Sequence, residues 1–424
     1  MMIEARYKRL ATQYKDLRII SYLPLFFLLC FSGNPIITAM SYSKNLLVIY
    51  SFVFISYIFL TVSYSFLKIK IQQTLFIVLF IVLLTLYQKF LLGFVSYPGV
   101  FAMILKMLLG LFTLIFYKVK RIGFIDSYIK IMAFLAIISL PFFVLNQFVH
   151  WGIQLDNEYL KSFVFYTTYP VEINSDSFFV RNSGMFWEAG AFAGYLLLAL
   201  LFIVLKNRSI TFGRYKTEVL CIIIGIITSQ STTGYFLLGI VLLLFIWNTY
   251  PVGRFIVIPA TVLLVFWAYN SIGFLGDKVE DQYSSAVTLG KNDVSNTRFG
   301  SLNMDLQYIT SQPFTGNGLD VSTRFRLHPW ITEDIGNGNG MSNFMACWGI
   351  PFFLFWLYCV YRFAYRFTQK KSITLFFLLM LILILQGEQF LNYPMFLIFF
   401  SISTFYNNLV TKRSYYKLIK FRRS

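Results

Sequence analysis

Long apolar runs alternate with short charged segments along almost the whole chain. Runs such as 75–86 and 196–205 are continuously hydrophobic and lack the two-residue alternation of a barrel strand, so they predict helices. Because a helix needs roughly 20 apolar residues to cross a bilayer, the pattern indicates about 12 membrane-spanning helices. The predicted spans are 19–37, 46–67, 73–92, 98–117, 124–148, 186–205, 217–230, 233–249, 254–273, 343–361, 372–387 and 391–409. The predicted fold class is therefore an all-α integral membrane protein, with residues 1–424 forming one polytopic membrane domain.

The composition supports a membrane protein and excludes several other classes. Hydrophobic residues make up 58% of the chain, more than a soluble domain of this size could bury. The net charge of +18 would suit a nucleic-acid partner, but the charges lie in short segments between the apolar runs, which is typical of how a membrane protein sets its orientation. We therefore predict membrane lipids, and no nucleic acid, as partners. The two histidines and four cysteines show no metal-ligand spacing, so we predict no metal site, no disulfide framework and no cofactor.

The distribution of basic residues predicts the orientation of the chain. An even number of spans puts both termini on one side, and most of the 36 Lys and Arg residues then fall on that side, which the positive-inside rule assigns to the cytoplasm. All connections on the cytoplasmic side are short. Two outer loops are long, at 149–185 and 274–342, and long loops of mixed polarity are where function is usually found.

The first outer loop ends in a charged stretch at the mouth of a helix. Arg181 and Glu188 lie seven residues apart, directly before the apolar run that begins at Ala191. A guanidinium binds diphosphate oxygens with paired donors and keeps its charge, so Arg181 is a candidate diphosphate ligand. Glu188 would then orient Arg181 or act on a hydroxyl. The alternative interpretation is an interfacial salt bridge, which would contribute little.

The second outer loop contains a predicted amphipathic helix. Ser295 or Asn296 is placed to cap it, and its apolar residues share one stripe. The stripe consists of Phe299, Leu302, Leu306 and Ile309. Arg298 lies beside the stripe on the same flank as Asp305, and its helix would hold it rigidly. We therefore expect Arg298 to be the second diphosphate ligand, with the helix at the outer leaflet forming one wall of the site.

Further residues of the second outer loop could add charge or act as a base. Arg324 and Arg326 are candidate diphosphate ligands, because arginines on the outer side run against the positive-inside bias. His328 is the one histidine of this loop and its pKa class suits a general base, although a lone histidine beside Pro and Trp is more often structural. The rival bases are Glu188, Glu333 and Asp334.

At these residues the sequence resembles the Wzy-type O-antigen polymerases and the wider O-antigen ligase-like superfamily. The shared pattern Arg-x-x-Gly-x-Phe-x-Glu is matched by Arg181, Gly184, Phe186 and Glu188. A Ser/Thr-rich turn at 229–234 is similar to one that follows two helices later in the family. The rest of the likeness lies in the second outer loop, at Arg298, at Pro313 to Gly318, and at Asn343 followed by Gly349.

The resemblance implies an inverting, metal-independent glycosyl transfer on the periplasmic face of the bacterial inner membrane, in lipopolysaccharide O-antigen biosynthesis. Undecaprenyl-diphosphate-linked repeat units would be the substrates, with Asn343 as a sugar-binding residue and a chain-length regulator protein as a partner. In ligases a His typically precedes that Asn, whereas this chain has Ser342, which favours a polymerase.

Two alternatives stay open. An O-antigen ligase would transfer finished polymer to lipid A-core. A lipid-linked oligosaccharide flippase or other transporter would also suit about 12 spans, although transporters often show paired halves and polar groups near the midplane. In this sequence the polar residues concentrate on one side, in two unequal loops.

Overall fold

The computed structural model describes residues 21–38, 43–61, 64–149, 152–154, 161–168, 170–173, 177–249, 255, 259, 298–329, 331 and 338–405. Over these residues the chain is mostly helical, as predicted. The predicted ninth span at 254–273, apart from residues 255 and 259, lies outside the described residues, as do the cap candidates Ser295 and Asn296 and the carboxylates Glu333 and Asp334.

Helices occupy the described residues of all the remaining predicted spans. They are α1 (Leu23–Cys30), α2 (Pro35–Thr38), α3 (Ser43–Thr61), α4 (Tyr64–Leu92), α5 (Tyr97–Val119), α6 (Phe124–Asn146), α7 (Ala189–Asn207), α8 (Lys216–Ser229), α9 (Thr232–Thr249), α10 (Arg298–Ser311), α11 (Val321–Arg324), α12 (Gly340–Trp348), α13 (Ile350–Thr368), α14 (Lys371–Leu385), a 3-10 helix (Phe390–Asn392), α15 (Pro394–Leu397) and α16 (Phe399–Phe405). Among the described residues, four helical segments are long and apolar enough to cross a bilayer, namely Thr74–Leu92, Tyr97–Val119, Phe124–Asn146 and Ala189–Asn207. The larger number of about 12 crossings stays a prediction.

Helix α4 illustrates how the apolar runs divide between core and surface. One stripe is buried against the bundle, and the opposite stripe consists of large apolar side chains on the surface. The buried stripe includes Ile77, Ile81 and Leu84, and the exposed one includes Leu75, Leu79, Leu83 and Leu86. A long apolar stripe on a helix surface suits contact with lipid, because the acyl chains satisfy it without a protein partner.

Helix α7 is the centre of the bundle. Every residue from Ala189 to Leu205 is buried, and α6, α8, α9, α13 and α14 all pack against it. A helix that is apolar on all sides belongs in the middle of a bundle. Its small residues allow close packing: Gly194 lies against the Phe390 ring, and Gly225 of α8 lies against Leu196 of α7.

The first and last helical regions are both interrupted, and the two interruptions meet beside α7. Between α1 and α2, the carbonyl of Ser32 accepts a hydrogen bond from the Tyr195 hydroxyl, 2.6 Å away, and its hydroxyl accepts one from the Met395 amide. In the last region, the Asn392 carbonyl accepts a hydrogen bond from Lys106, 2.9 Å away. Since lipid offers no hydrogen bonds, irregular backbone in a membrane protein has to be satisfied in this way by other protein groups.

The first outer loop contains short strands that the sequence pattern does not predict. Strands β1 (Ile153–Gln154), β2 (Lys161–Ser162) and β3 (Thr167–Thr168) form one antiparallel sheet, and β4 (Pro170–Ile173) pairs with β5 (Ser177–Val180) in a second. Three of these strands have two residues each, too short for an alternating pattern to register. Strand β5 ends at Val180, directly before Arg181.

The predicted helix of the second outer loop is present as α10, beginning at Arg298. The face that it buries is only partly the predicted apolar stripe, of which Ile309 is buried. Asp305 and Tyr308 are fully buried, whereas Leu306 is 45% exposed. The helix turns Asp305 inward because that carboxylate pairs with Arg324 and accepts a hydrogen bond from Ser342 of α12.

The opposite end of the bundle carries a different charged group. There Asp126 at the start of α6 pairs with Lys206 at the end of α7 and with Arg214 before α8, and it accepts a hydrogen bond from Tyr215. Basic residues surround this group, as the sequence predicts for a cytoplasmic end. The two ends of α7 thus differ: this group lies at its C-terminal end, whereas Glu188 lies at its N-terminal end.

Candidate functional site

Four charged residues gather at the N-terminal end of α7. Arg181 precedes the helix, Glu188 is its N-cap residue, Arg298 begins α10, and Glu388 follows α14. The Arg181 guanidinium interacts electrostatically with the other three. The structure therefore brings together three residues that the sequence predicted for one site and adds Glu388. We call these four residues the charged cluster.

Arg181 is held by the neighbouring Asn182 and by the end of α8. The Asn182 side-chain amide donates hydrogen bonds to the hydroxyls of Ser139 and Thr228, both at 2.9 Å, which fixes the chain before α7. Arg181 itself donates from Nε to the Ser229 carbonyl, 3.3 Å away. Because the last carbonyls of a helix have no partner within it, this bond satisfies the end of α8 and uses only one of the guanidinium donors.

Arg298 contacts the same turn from the other side. Its Nη1 donates to the Thr233 hydroxyl at 2.5 Å, and its Nη2 lies 3.9 Å from Oε1 of Glu388. The turn that joins α8 to α9 thus holds both arginines, one through Ser229 and one through Thr233. Capping of the two helix ends alone would not require that arrangement.

Glu188 marks the point where extended backbone becomes helix. Its φ of −151° and ψ of 154° are extended, its side chain makes no capping hydrogen bond, and its carbonyl accepts from the Phe192 amide at 3.1 Å. The carboxylate is therefore available to the cluster. The free amides of the first turn give this end of α7 a partial positive charge, which favours an anion nearby.

Gly190, in the first turn of α7, provides the space in which the two carboxyl groups meet. A Cβ at this position would lie 2.8 Å from Oε1 of Glu388 and 3.8 Å from Oε1 of Glu188. The two carboxyl groups therefore border the same small space. Any larger residue at 190 would displace Glu388.

Glu388 is the member of the cluster that sequence reasoning missed. Its side chain is only 13% exposed, and burial raises its pKa well above the ordinary value for a glutamate. The charge of Glu188 raises the pKa of Glu388 further, while Arg298 opposes the shift. One signal was available: Glu388 is the only acidic residue after Asp334, and it lies in the predicted outer turn between the last two spans.

The positive charges of Arg181 and Arg298 lie close together in a partly buried place, and close ion pairs do not neutralise them. Burial lowers the pKa of Arg181, and the nearby charge of Arg298 adds to that effect while the carboxylates oppose it. Among the described residues Arg181 makes no direct ion pair, and the contact of Arg298 with Glu388 is long. A bound anion would relieve this repulsion between like charges.

Arg324 lies in a second, buried group rather than in the charged cluster. It is 4% exposed and pairs with Asp305, which is fully buried. Its Nε and Nη2 also donate to the side-chain oxygen of Asn343, at 3.2 and 3.0 Å. The guanidinium stacks on the ring of Tyr308, 4.8 Å from its centroid. These contacts occupy the Asn343 oxygen and tie α10, α11 and α12 together.

His328 and Arg326 lie near this second group. Nδ1 of His328 is 2.5 Å from the Tyr308 hydroxyl, and burial together with the charge of Arg324 lowers the pKa of His328, which keeps it neutral at pH 7. Burial also raises the pKa of Tyr308 to about 12. Arg326 is exposed and donates from Nε to the Asn317 side chain at 3.2 Å.

The second group supports the charged cluster through the start of α12. The α-carbon of Gly340 packs directly against the backbone of Glu388 and Gln389, so a side chain at 340 would displace them. The Gly338 amide donates to the Ser301 hydroxyl of α10 at 3.0 Å. The buried ion pair of Arg324 and Asp305 thereby fixes the position from which Arg298 reaches the cluster.

No family model, curated protein or solved structure matches this chain.

The chemical capacity of the site follows from its residues. The charged cluster offers two guanidinium groups for an anion and two neighbouring carboxyl groups, and Arg298 also lines a small cavity with room for about one water molecule. Its lining is mostly small or apolar, and apart from Thr233 and Arg298 it consists of Gly190, Gly194, Leu197, Leu237, Ile384, Gly387 and Phe390. Among the described residues, no group of three or more His, Cys, Asp or Glu side chains is arranged to hold a metal ion.

An aromatic wall closes one side of the site. Trp187 stacks on Tyr393 with ring centroids 4.5 Å apart, and its other side lies against Gly33 in the interruption after α1. The Trp187 side chain slightly opposes the rise in the pKa of Glu388. Lys106 lies behind this wall, 5.6 Å from the centre of the Tyr393 ring. The charge of Lys106 in the middle of a predicted span is thus explained by the Asn392 carbonyl and the Tyr393 ring.

Proposed function

We propose that this protein is an O-antigen polymerase of the Wzy type, a membrane glycosyltransferase that joins undecaprenyl-diphosphate-linked oligosaccharide repeat units during lipopolysaccharide biosynthesis. In this proposal the chain crosses the bacterial inner membrane about 12 times, with both termini in the cytoplasm and the charged cluster at the periplasmic face. The observation that carries the proposal is the meeting of Arg181 and Arg298 with Glu188 at the N-terminal end of α7.

The arginines are suited to the diphosphate of the donor. A guanidinium and a phosphate form paired, charge-assisted hydrogen bonds, and the first turn of α7 adds its free amides. Arg181 donates one hydrogen bond to the Ser229 carbonyl, and Arg298 donates one to the Thr233 hydroxyl. Each guanidinium keeps further donors for substrate. Arg324, in its buried ion pair, belongs to the scaffold in this proposal.

The carboxylate of Glu188 is suited to the acceptor. Glu188 removes the proton of the acceptor sugar hydroxyl, and the oxygen attacks the anomeric carbon of the donor sugar. The bond between that carbon and the diphosphate oxygen breaks, and the lipid diphosphate leaves with the electron pair. Attack opposite the leaving group inverts the anomeric configuration. The two arginines offset the negative charge that grows on the diphosphate.

Lipopolysaccharide banding tests this proposal. Deletion of the gene should leave core carrying a single repeat unit without a ladder, and the wild-type gene should restore the ladder. Arg181→Ala and Arg298→Ala should both fail to restore it while their membrane abundance holds. Lys89→Ala is the matched control, since it removes an exposed charge from the predicted outer side and should restore the ladder.

The same gel separates the alternatives. Bare core with polymer stranded on the lipid carrier would identify a ligase instead. A ladder that persists after deletion would overturn the polymerase, and a ladder restored by both arginine variants would overturn the diphosphate role.

A further inference from the structure

The two carboxyl groups of the charged cluster have an arrangement that a single base would not need. Glu188 and Glu388 come from helix boundaries 200 residues apart in sequence. Oε1 of each side chain borders the space beside Gly190. That space exists because residue 190 has no side chain. Two carboxyl groups this close in a partly buried site share protons, because both cannot ionise without strong repulsion.

The surroundings of the pair determine which group holds the proton. Glu388 is closely enclosed: its side chain is 13% exposed, it lies over the α7 helix, and the backbone of Gly340 packs against its own. Arg298 is 3.9 Å from one of its oxygens, too far for a strong ion pair. Glu188 interacts electrostatically with Arg181 and lies at the positive end of α7.

We propose that Glu388 is a positioning residue that stays protonated and donates a hydrogen bond to the carboxylate of Glu188, so that Glu188 presents its other oxygen to the acceptor hydroxyl. This inference rests on the proposed function and names the group that prepares its base. Without the bond, Glu188 would turn toward Arg181, and an ion pair between them would neutralise both the base and the diphosphate ligand.

The proton balance of the step is simple. The acceptor hydroxyl gives its proton to Glu188 as its oxygen bonds to the anomeric carbon, and the departing lipid diphosphate carries the electron pair and one added negative charge. Glu188 then releases the proton to water before the next cycle. Glu388 keeps its own proton throughout, which is why an amide can replace it.

The test compares substitutions at 388 that keep or remove the hydrogen-bond donor. Glu388→Gln retains a donor that cannot ionise, and Glu388→Leu removes it. Polymerisation by purified protein in lipid nanodiscs is measured against pH with a defined undecaprenyl-diphosphate-linked repeat unit. In the wild-type protein the rate should fall at high pH, where Glu388 loses its proton. Glu388→Gln should keep a rate within several-fold of wild type at neutral pH and lose that fall, while Glu388→Leu should lose at least tenfold.

A second measurement is independent of polymerisation. Infrared spectra at neutral pH should contain the carbonyl stretch of a protonated carboxyl group, absent from the Glu388→Gln variant and present in Glu188→Gln. If the wild-type protein shows no polymerisation, the proposed function fails, whatever the spectra show. If polymerisation occurs but Glu388→Gln keeps the wild-type pH profile, is inactive although folded, or leaves the band unchanged, the role of Glu388 is overturned and the polymerase stands.

Discussion

Removal of Arg324 should loosen α10, although Arg324 lies outside the charged cluster. Arg324 pairs with Asp305 in a place where the two side chains are 4% and 0% exposed. Breaking a buried pair by deleting one partner costs about 3–5 kcal/mol, because the other charge is left buried. Asp305 keeps the hydroxyl of Ser342 as a donor, so we expect Arg324→Met to lie near the lower value, about 3 kcal/mol.

That free energy converts into a measurable opening of the helix. A loss of about 3 kcal/mol raises the opening equilibrium roughly 100-fold or more. Hydrogen exchange read by mass spectrometry on peptides covering 298–311, in nanodiscs, reports that equilibrium. Asp305→Leu combined with Arg324→Met should recover more than half of the lost protection, since replacing both charges by apolar groups is often neutral.

The control is Arg326→Met, which removes an exposed arginine two residues away. It should change protection of the same peptides less than about tenfold, as expected for one surface hydrogen bond. Unchanged protection in Arg324→Met, together with weaker binding of a lipid diphosphate, would refute this reasoning. Arg324 would then be a substrate ligand, as its position in the outer loop first indicated.

Two further predictions concern packing around the site. Gly194→Ala should destabilise the protein by about 1–3 kcal/mol because the new methyl group would overlap the Phe390 ring. Gly239→Ala, with no atom within 4 Å of the added carbon, should be neutral or stabilising, and equal thermal unfolding of the two variants in detergent would contradict the predicted overlap. Lys106→Met should cost about 1–3 kcal/mol because the Asn392 carbonyl loses its donor. Unchanged unfolding of this variant would show that the carbonyl finds another partner.

The sequence predicted the helical parts of the fold well, because continuous apolar runs have one structural outcome in a membrane protein. It also predicted that Arg181, Glu188 and Arg298 would lie on one side, since charges at helix mouths and in outer loops can be assigned from topology. The structure places these three together. Their role in binding a diphosphate stays a prediction.

Other features depend on contacts that no local pattern encodes. Glu388 belongs to no motif, and only the folding of α14 against α7 brings it to Glu188. Arg324 and Arg326 were both predicted to be ligands from their place in the outer loop, but Arg324 is buried in a pair with Asp305, 19 residues away. The strands before Arg181 were not predicted because they are only two to four residues long, too short to show a clear periodicity.

Binding of a lipid diphosphate tests the central claim most directly. The purified protein should bind undecaprenyl diphosphate more tightly than undecaprenyl monophosphate. Because a charge-assisted hydrogen bond contributes about 1.5–3 kcal/mol, Arg181→Ala and Arg298→Ala should each weaken binding roughly 10- to 150-fold. Lys89→Ala should bind as the wild type does. Equal affinity for the two lipids, or wild-type affinity in both arginine variants, would contradict the assignment of the charged cluster as a diphosphate site.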